Sequence, residues 1–221
     1  MVYRHKTAYQ NKKTAGLYDN RFLKPTEKIN HYLEATFLRK MIKKCSRVNN
    51  ALDVACGTGR LTSELINFGI EDITGSDISE EMMEVSRKNC SSDKIKICFQ
   101  KGDATQLPFN DNKFDLVISF RFLDHLPVEE KKKAIIEIIR VSRKYMVFTM
   151  ANLNLWTKIS RRIRKIFNKN YYEGSLINEK DVIELLENHN VCILKRKMKL
   201  PLLGMEIMYY CEKEFKIEGN V

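Results

Sequence analysis

Hydrophobic and polar positions along this 221-residue chain follow two patterns that alternate with each other. Short, continuous apolar runs predict buried β-strands, whereas apolar residues three or four positions apart, such as Leu33, Phe37 and Met41, predict helices. The runs predict strands over 51–56, 72–78, 95–101, 114–120, 145–150, 192–200 and 205–211, and the spaced positions predict helices over 29–45, 59–68, 79–90, 127–142 and 178–188. Strands that alternate with helices of this length indicate a parallel sheet with helices on both faces.

The two ends of the chain depart from this alternation. The last two predicted strands have no helix between them, only a short segment with Pro201 and Gly204, which predicts an antiparallel hairpin. Residues 1–28 are polar and interrupted by glycine and proline, which indicates an arm or a lid. The length fits a single domain over residues 1–221.

The first predicted strand leads into a turn that contains two glycines. Asp53 lies within this strand, Gly57 and Gly59 form the turn, and a helical pattern follows at once. Such a turn brings backbone N–H groups close to a ligand. Asp77 ends the second strand eighteen residues beyond Gly59, where α/β nucleotide folds place an acid that holds a ribose. Thr62 occupies the position of the third glycine in the dinucleotide fingerprint, so the pattern is not that of a dinucleotide site.

Four short motifs follow one another at the ends of predicted strands. They are Asp53 to Gly59, Gly75-Ser-Asp77-Ile-Ser, Gly102-Asp103-Ala104-Thr-Gln-Leu107-Pro108-Phe109, and Phe114-Asp115-Leu-Val-Ile-Ser-Phe followed by Leu123-Asp-His125-Leu126. In order and spacing they resemble the motifs of class I S-adenosylmethionine (SAM) methyltransferases, in the branch that contains ubiquinone-biosynthesis and other small-molecule enzymes. Ala55 departs from the usual first glycine of that pattern. The resemblance implies an α/β, Rossmann-like, seven-stranded and mostly parallel sheet in the order 3-2-1-4-5-7-6, with helices on both faces.

The same resemblance implies that SAM is the cofactor and assigns residues to it. Asp53 corresponds to the acid that orients the loop and the SAM ammonium, and Gly57 and Gly59 let the backbone approach the methionine part. Asp77 would accept hydrogen bonds from both ribose hydroxyls, and Asp103 would accept one from the adenine amine. Further implied contacts come from Ala55, Cys56, Ile78, Ala104 and Phe120, with Cys56 packing beside the cofactor and not acting as a nucleophile. No metal site is expected.

Three residues are candidates for catalysis. His125 follows the fourth predicted strand, at the sheet edge where ligands bind, and is the best candidate for a general base. Resemblance to phosphoethanolamine methyltransferases suggests Tyr18 of the N-terminal arm as its partner, although the histidine could instead only shape the pocket. Arg121 either binds a carboxylate or phosphate of the acceptor or pairs with Asp124 as structure.

Residues 154–175 form a basic insert in which a helical pattern of apolar residues includes the only tryptophan of the chain. Three interpretations are open for the basic helix predicted at 156–169. It packs on the sheet as an ordinary amphipathic helix, it lies on an anionic membrane or lipid surface, or it contacts nucleic acid. In the resembled family, the segment after the fifth strand often covers the substrate.

Composition limits the function without naming it. The formal net charge is +11, which favours anionic partners but is also typical of lysine-rich surfaces. The polar N-terminus lacks a signal-peptide core, so we expect a cytoplasmic protein with its six cysteines reduced. The leading prediction is a SAM-dependent methyltransferase with a small-molecule or lipid-like acceptor. The alternatives are an RNA methyltransferase, which is less favoured because the Asn/Asp-Pro-Pro-Tyr signature is absent, and a non-catalytic SAM-binding protein; the oligomeric state stays open.

Overall fold

One seven-stranded sheet forms the centre of the structure, a computed structural model that describes residues 24–90, 95–151, 162, 166, 176–199 and 206–214. The strands are β1 (Asn50–Val54), β2 (Asp72–Asp77), β3 (Lys96–Lys101), β4 (Phe114–Ser119), β5 (Ser142–Ala151), β6 (Val191–Met198) and β7 (Glu206–Lys213). Their order is β3-β2-β1-β4-β5-β7-β6, which confirms the predicted order. Strands β1 to β5 pair in parallel, whereas β7 runs antiparallel to both β5 and β6.

Helices alternate with the parallel strands, except between β3 and β4, as the spacing of apolar residues predicts. They are α1 (Pro25–Ile42), α2 (Thr62–Asn67), α3 (Glu80–Asn89), α4 (Val128–Val141) and α5 (Glu179–Glu187), with a short 3₁₀ helix at Leu123–His125. Helix α2 begins three residues later than predicted, because the preceding residues form the glycine turn. Helix α3 begins as predicted at its cap, where the Ser79 hydroxyl accepts a hydrogen bond from the Met82 amide at 3.2 Å.

Helix α1 begins four residues before the predicted start. Pro25 occupies its first turn, where a proline loses no helical hydrogen bond, so this residue starts the helix and does not interrupt a polar arm. Most of the predicted arm, including Tyr18, lies outside the described residues, as does the insert 154–175 except for Arg162 and Ile166, which are helical and exposed.

Two hydrophobic clusters cover the two faces of the sheet. Successive residues of a strand point to opposite faces, so Val117 packs in one cluster and Leu116 in the other. Helix α4 contributes Ile135 to the first cluster, and α1 contributes Leu38 to the second. Burial on both faces explains why the central strands read as continuous apolar runs and leaves the strand ends as the place for a site.

Among the described residues, no helix combines the length and the apolar character that crossing a membrane requires. The six cysteines are free thiols.

Candidate functional site

The glycine turn after β1 is built from residues in left-handed backbone conformations. The φ angles of Ala55, Gly57 and Gly59 are 57°, 57° and 83°. The Cys56 amide donates to the Ser76 carbonyl at 3.0 Å, which fixes the turn to the end of β2. A left-handed conformation is without penalty for glycine but costs roughly 1–2 kcal/mol for other residues, so Ala55 is held there against its preference.

The two glycines of the turn have different surroundings, so glycine is needed at each position for a different structural reason. A Cβ atom at Gly59 would overlap Ser86 Oγ and lie 2.5 Å from Cys90 Sγ, so this glycine lets the turn pack against α3. A Cβ atom at Gly57 would meet no atom within 4 Å. Gly57 therefore borders the open space of a cavity at the carboxyl ends of the strands, the main cavity. Gly59 faces protein and borders a separate groove next to α1.

Asp77 connects the end of β2 to the glycine turn. Its Oδ2 accepts a hydrogen bond from the Gly57 amide at 2.9 Å, and its Oδ1 accepts one from the Ser79 amide at 2.9 Å. Burial raises the pKa of this carboxyl group, while the backbone amides that donate to it act in the opposite direction. The side chain is thus held in one orientation at the rim of the main cavity.

The main cavity opens at the carboxyl ends of β1, β2 and β4. The space within it, including the part that is open to solvent, is about 800 Å³. The predicted site residues that border it are Ala55, Gly57, Asp77, Ile78, Asp103, Ala104, Phe120, Arg121 and His125. The fold therefore brings together residues from four separate motifs in one cavity.

A second, smaller cleft of about 390 Å³ lies on the other side of the glycine turn. It shares Ala55, Gly57, Phe120 and Arg121 with the main cavity, so the two spaces are neighbours. Asp53 and Cys56 border this cleft and not the main cavity, so among the predicted cofactor residues they lie away from Asp77 and Asp103 but next to Ala55 and Gly57.

Asp53 is almost completely buried beneath the turn. Its Oδ2 accepts a hydrogen bond from the Thr62 hydroxyl at 2.7 Å, so the residue that replaces the third glycine has a defined role. Burial raises the pKa of Asp53 to about 7; the Thr62 hydrogen bond and the charge of Arg60 counteract this rise, and Asp77 adds to it.

Asp103 follows β3 and forms a local turn. Its Oδ1 accepts hydrogen bonds from the amide and the hydroxyl of Thr105, at 3.0 and 2.8 Å. A Cβ atom at the preceding Gly102 would lie 2.7 Å from Ser76 Oγ and 2.8 Å from Pro108 Cδ, so only glycine fits there. This packing holds Asp103 and Ala104 against the end of β2.

The candidate catalytic residues follow β4. His125 ends the 3₁₀ helix and borders the main cavity, and Asp124 accepts a hydrogen bond from the Ala151 amide at 2.6 Å. The structure shows ion pairs of Arg121 with two carboxylates of α1, Glu27 at 2.7 Å and Glu34 at 3.7 Å. Arg121 also has a φ of 58°, so both its backbone and its side chain are fixed by the fold.

Several residues at the cavity are not predicted from the sequence. Ser76, Met82, Gly102, Leu107 and Phe122 also border the main cavity. All lie within three residues of a predicted neighbour or in the first turn of α3, so adjacency to the motifs was the signal that could have identified them. The charged residues of α1 carry no such signal, because their contacts depend on the tertiary fold.

The central part of the chain is similar in sequence to known methyltransferases. Residues 51–145 match the methyltransferase domain family. A demethylmenaquinone methyltransferase from Renibacterium salmoninarum is 41% identical over 93 residues, which are 42% of this chain and 36% of that protein. The eEF1A lysine and N-terminal methyltransferase from Bos taurus is 28% identical over 138 residues, 58% of this chain and 19% of the relative. The chain thus spans well under half the length of these relatives.

Solved structures show the same fold over more of the chain. Magnesium protoporphyrin IX methyltransferase from Synechocystis PCC 6803, crystallised with bound SAH, superposes with a TM-score of 0.77. The superposition covers 93% of this chain and 97% of that one, at 18% sequence identity. Residues 51–145 are therefore similar in sequence to the methyltransferase domain family, and the chain has the fold of this SAH-bound methyltransferase.

Proposed function

We propose that this protein transfers a methyl group from SAM to a small-molecule acceptor. The observation that carries the proposal is the convergence of Gly57, Asp77, Asp103 and His125 on one cavity at the carboxyl edge of the sheet. Ligands of open α/β sheets bind at this edge, which supports a site for the cofactor and the acceptor in this cavity.

The residues of the cavity fit an adenosyl ligand. A Cβ atom at Gly57 would project into open space, which leaves the backbone of the turn accessible to the ligand. Asp77 is oriented by two backbone amides and supplies carboxylate oxygens for the ribose hydroxyls. Ile78 and Ala104 offer apolar surface for the adenine ring, and Asp103 offers an acceptor for its amine.

SAM supplies a methyl group that is already activated by its sulfonium. The protein therefore has to bind, align the acceptor and exclude water, and most of the catalysis can come from proximity and orientation. We propose that His125 takes the proton when the acceptor is a hydroxyl or an ammonium. Tyr18 remains its proposed partner, and its position lies outside the described residues.

A small-molecule acceptor is supported by the names of two of the three proteins compared above, whereas the relative from Bos taurus acts, by its name, on eEF1A. The matched relative from Renibacterium acts, by its name, on demethylmenaquinone, and the structural neighbour acts on magnesium protoporphyrin IX. A lipid-like acceptor, an anionic membrane contact through residues 156–169 and a cytoplasmic location stay predictions.

Calorimetry with pure protein tests the cofactor part of the proposal. SAM should bind, and at a hundredfold excess over its dissociation constant it should stabilise the fold by about 2.7 kcal/mol. The Asp77→Ala variant should lose most of this stabilisation. Absence of SAM binding by the wild-type protein would contradict the proposal.

Methyl transfer to a panel of quinol, phenol, carboxylate and amine acceptors tests the second part. If His125 is the base, His125→Gln should lower the turnover of the accepted compound by about 10²-fold or more while SAM affinity stays the same. An unchanged turnover would restrict His125 to shaping the pocket.

A further inference from the structure

Helix α1 is attached to the site by a buried group of charges. Glu34 of α1 has no exposed surface, and its Oε2 lies 2.7 Å from Arg60 Nη2. Its Oε1 forms an ion pair with Lys199 Nζ and lies 3.7 Å from Arg121 Nε. One carboxylate of α1 therefore contacts cationic side chains from three separate parts of the chain. We call Glu27, Glu34, Arg60, Arg121, Lys199 and Glu206 the Glu34 cluster.

The Glu34 cluster is balanced in charge. Glu27 pairs with Arg121 at 2.7 Å, and Glu206 pairs with Lys199 at 2.9 Å, so three carboxylates face three cations. A buried charge is tolerated when it is paired, and it is costly when its partner is removed. The positions of the cations are thus tied to the presence of α1.

Two of these cations lie at or beside the proposed ligand site: Arg121 borders the main cavity, and Arg60 borders only the neighbouring second cleft. Arg60 directly follows the glycine turn and borders the second cleft, together with Asp53 and Gly57. Arg121 follows β4 and borders both the main cavity and the second cleft. The left-handed backbone of Arg121 shows that its segment is held in a conformation that a residue of this type rarely adopts without support.

We propose that Glu34 is a positioning residue of the ligand site. Because it holds Arg60 and Arg121, it sets the conformation of the two segments that form the walls of the second cleft. Docking of α1 and binding of SAM then stabilise each other, since both require the same arrangement of these two segments. The inference rests on the proposed function, because SAM is the ligand whose affinity reports the coupling.

The test compares two buried carboxylates, one near the carboxyl ends of the parallel strands and one near their amino ends. Glu34→Gln removes the charge at the site. Asp115→Asn is the matched control, because Asp115 is also buried and also has polar partners. It accepts a hydrogen bond from the Asn49 backbone amide at 2.9 Å and pairs with Arg143. It lies at the start of β4, away from the cavity. Thermal unfolding and SAM affinity by calorimetry are measured for both variants.

Both variants should unfold at a lower temperature than the wild type. Only Glu34→Gln should weaken SAM binding, by about tenfold, which is within the usual range for coupled sites. Asp115→Asn should change the affinity by less than about twofold. Equal SAM affinity in Glu34→Gln and the wild type would overturn the inference and leave Glu34 as a purely structural residue.

Limited trypsin digestion gives a second readout that does not depend on activity. Lys28 is exposed on α1, and cleavage there requires local opening of the helix. SAM should slow this cleavage in the wild type and in Asp115→Asn but not in Glu34→Gln. Equal protection by SAM in all three proteins would contradict the coupling.

A milder variant keeps the test decisive if Glu34→Gln does not fold. Glu27→Gln removes only the partly exposed carboxylate that pairs with Arg121, and it should weaken SAM binding by about threefold. An unchanged affinity would count against the inference. Failure of the wild type to bind SAM would instead contradict the proposed function, so the two failures are distinguishable.

Discussion

The pKa of Asp53 predicts how SAM affinity depends on pH. Burial raises this pKa to about 7, so the carboxyl group changes from mostly neutral to mostly ionised between about pH 6 and pH 8. The family resemblance pairs Asp53 with the SAM ammonium, and only the ionised carboxylate attracts a cation. SAM affinity should therefore rise with pH on the acid side of neutrality.

The size of the expected change in SAM affinity follows from the ionisation of two groups, the Asp53 carboxyl group and the SAM α-amino group. At about pH 6, roughly one tenth of Asp53 is ionised, whereas at about pH 7.4 roughly seven tenths is. An α-amino group has a pKa of about 7.7, so the SAM ammonium is partly deprotonated at the higher pH. The product of the two fractions is about fivefold larger at pH 7.4 than at pH 6, and it falls again above about pH 7.4.

Calorimetric titration of SAM across this range is the assay, with one variant and one ligand as controls. Asp53→Asn should bind SAM more weakly at pH 7.4 and should lose the rise from pH 6. In the wild type, 5′-methylthioadenosine, which lacks the ammonium, should show no rise due to Asp53. Asp77 also has a pKa raised by burial, but it is present in both proteins and cancels in the comparison.

Stability should change in the opposite direction to affinity. A carboxyl group whose folded pKa is raised binds more protons in the folded state, so it destabilises the free protein as the pH rises from about 4 to 7. Asp53→Asn should therefore be more stable than the wild type at pH 7 while binding SAM more weakly. The reasoning is refuted if the variant retains the same rise in affinity between pH 6 and pH 7.4.

Three further predictions concern neighbouring residues. Ala55→Gly should stabilise the protein by about 0.5 kcal/mol in urea unfolding, because relief of the left-handed backbone exceeds the entropy cost of glycine; a loss of stability would contradict this. Asp77→Ala should weaken SAM binding by about 100-fold or more in calorimetry, because it removes a charged acceptor and leaves the Gly57 amide without it. His31 has a pKa lowered by burial and by Arg60, 2.7 Å away, so its stabilising contribution should be lost as pH falls below about 6.5, and His31→Gln should remove that pH dependence from thermal unfolding.

The fold was predictable because its signals are local. Continuous apolar runs specify strands that are buried on both faces, and the motifs at their ends specify which edge carries the site. The cap at Ser79 and the strand at Phe114 are examples in which a few adjacent residues determine the structure. The cavity residues followed from the same motifs, because they lie directly at the strand ends.

Two features were not predictable in the same way. Asp53 borders the second cleft, although its motif places it next to residues of the main cavity, because alternate residues of a strand end point in different directions. Arg121 pairs with Glu27 and Glu34, far away in sequence. Such contacts depend on where α1 docks, and no spacing in the sequence encodes that.

The charge of the whole chain does not describe the charge of its site. The formal net charge is +11, yet Arg121, a cation that borders the main cavity, is paired with carboxylates of α1. The partly exposed carboxyl groups of Asp77 and Asp103 border the same space. As carboxylates, these two groups favour a cation such as a sulfonium in the cavity and oppose a polyanion. The net charge of the whole chain therefore gives no support to an RNA acceptor at this cavity.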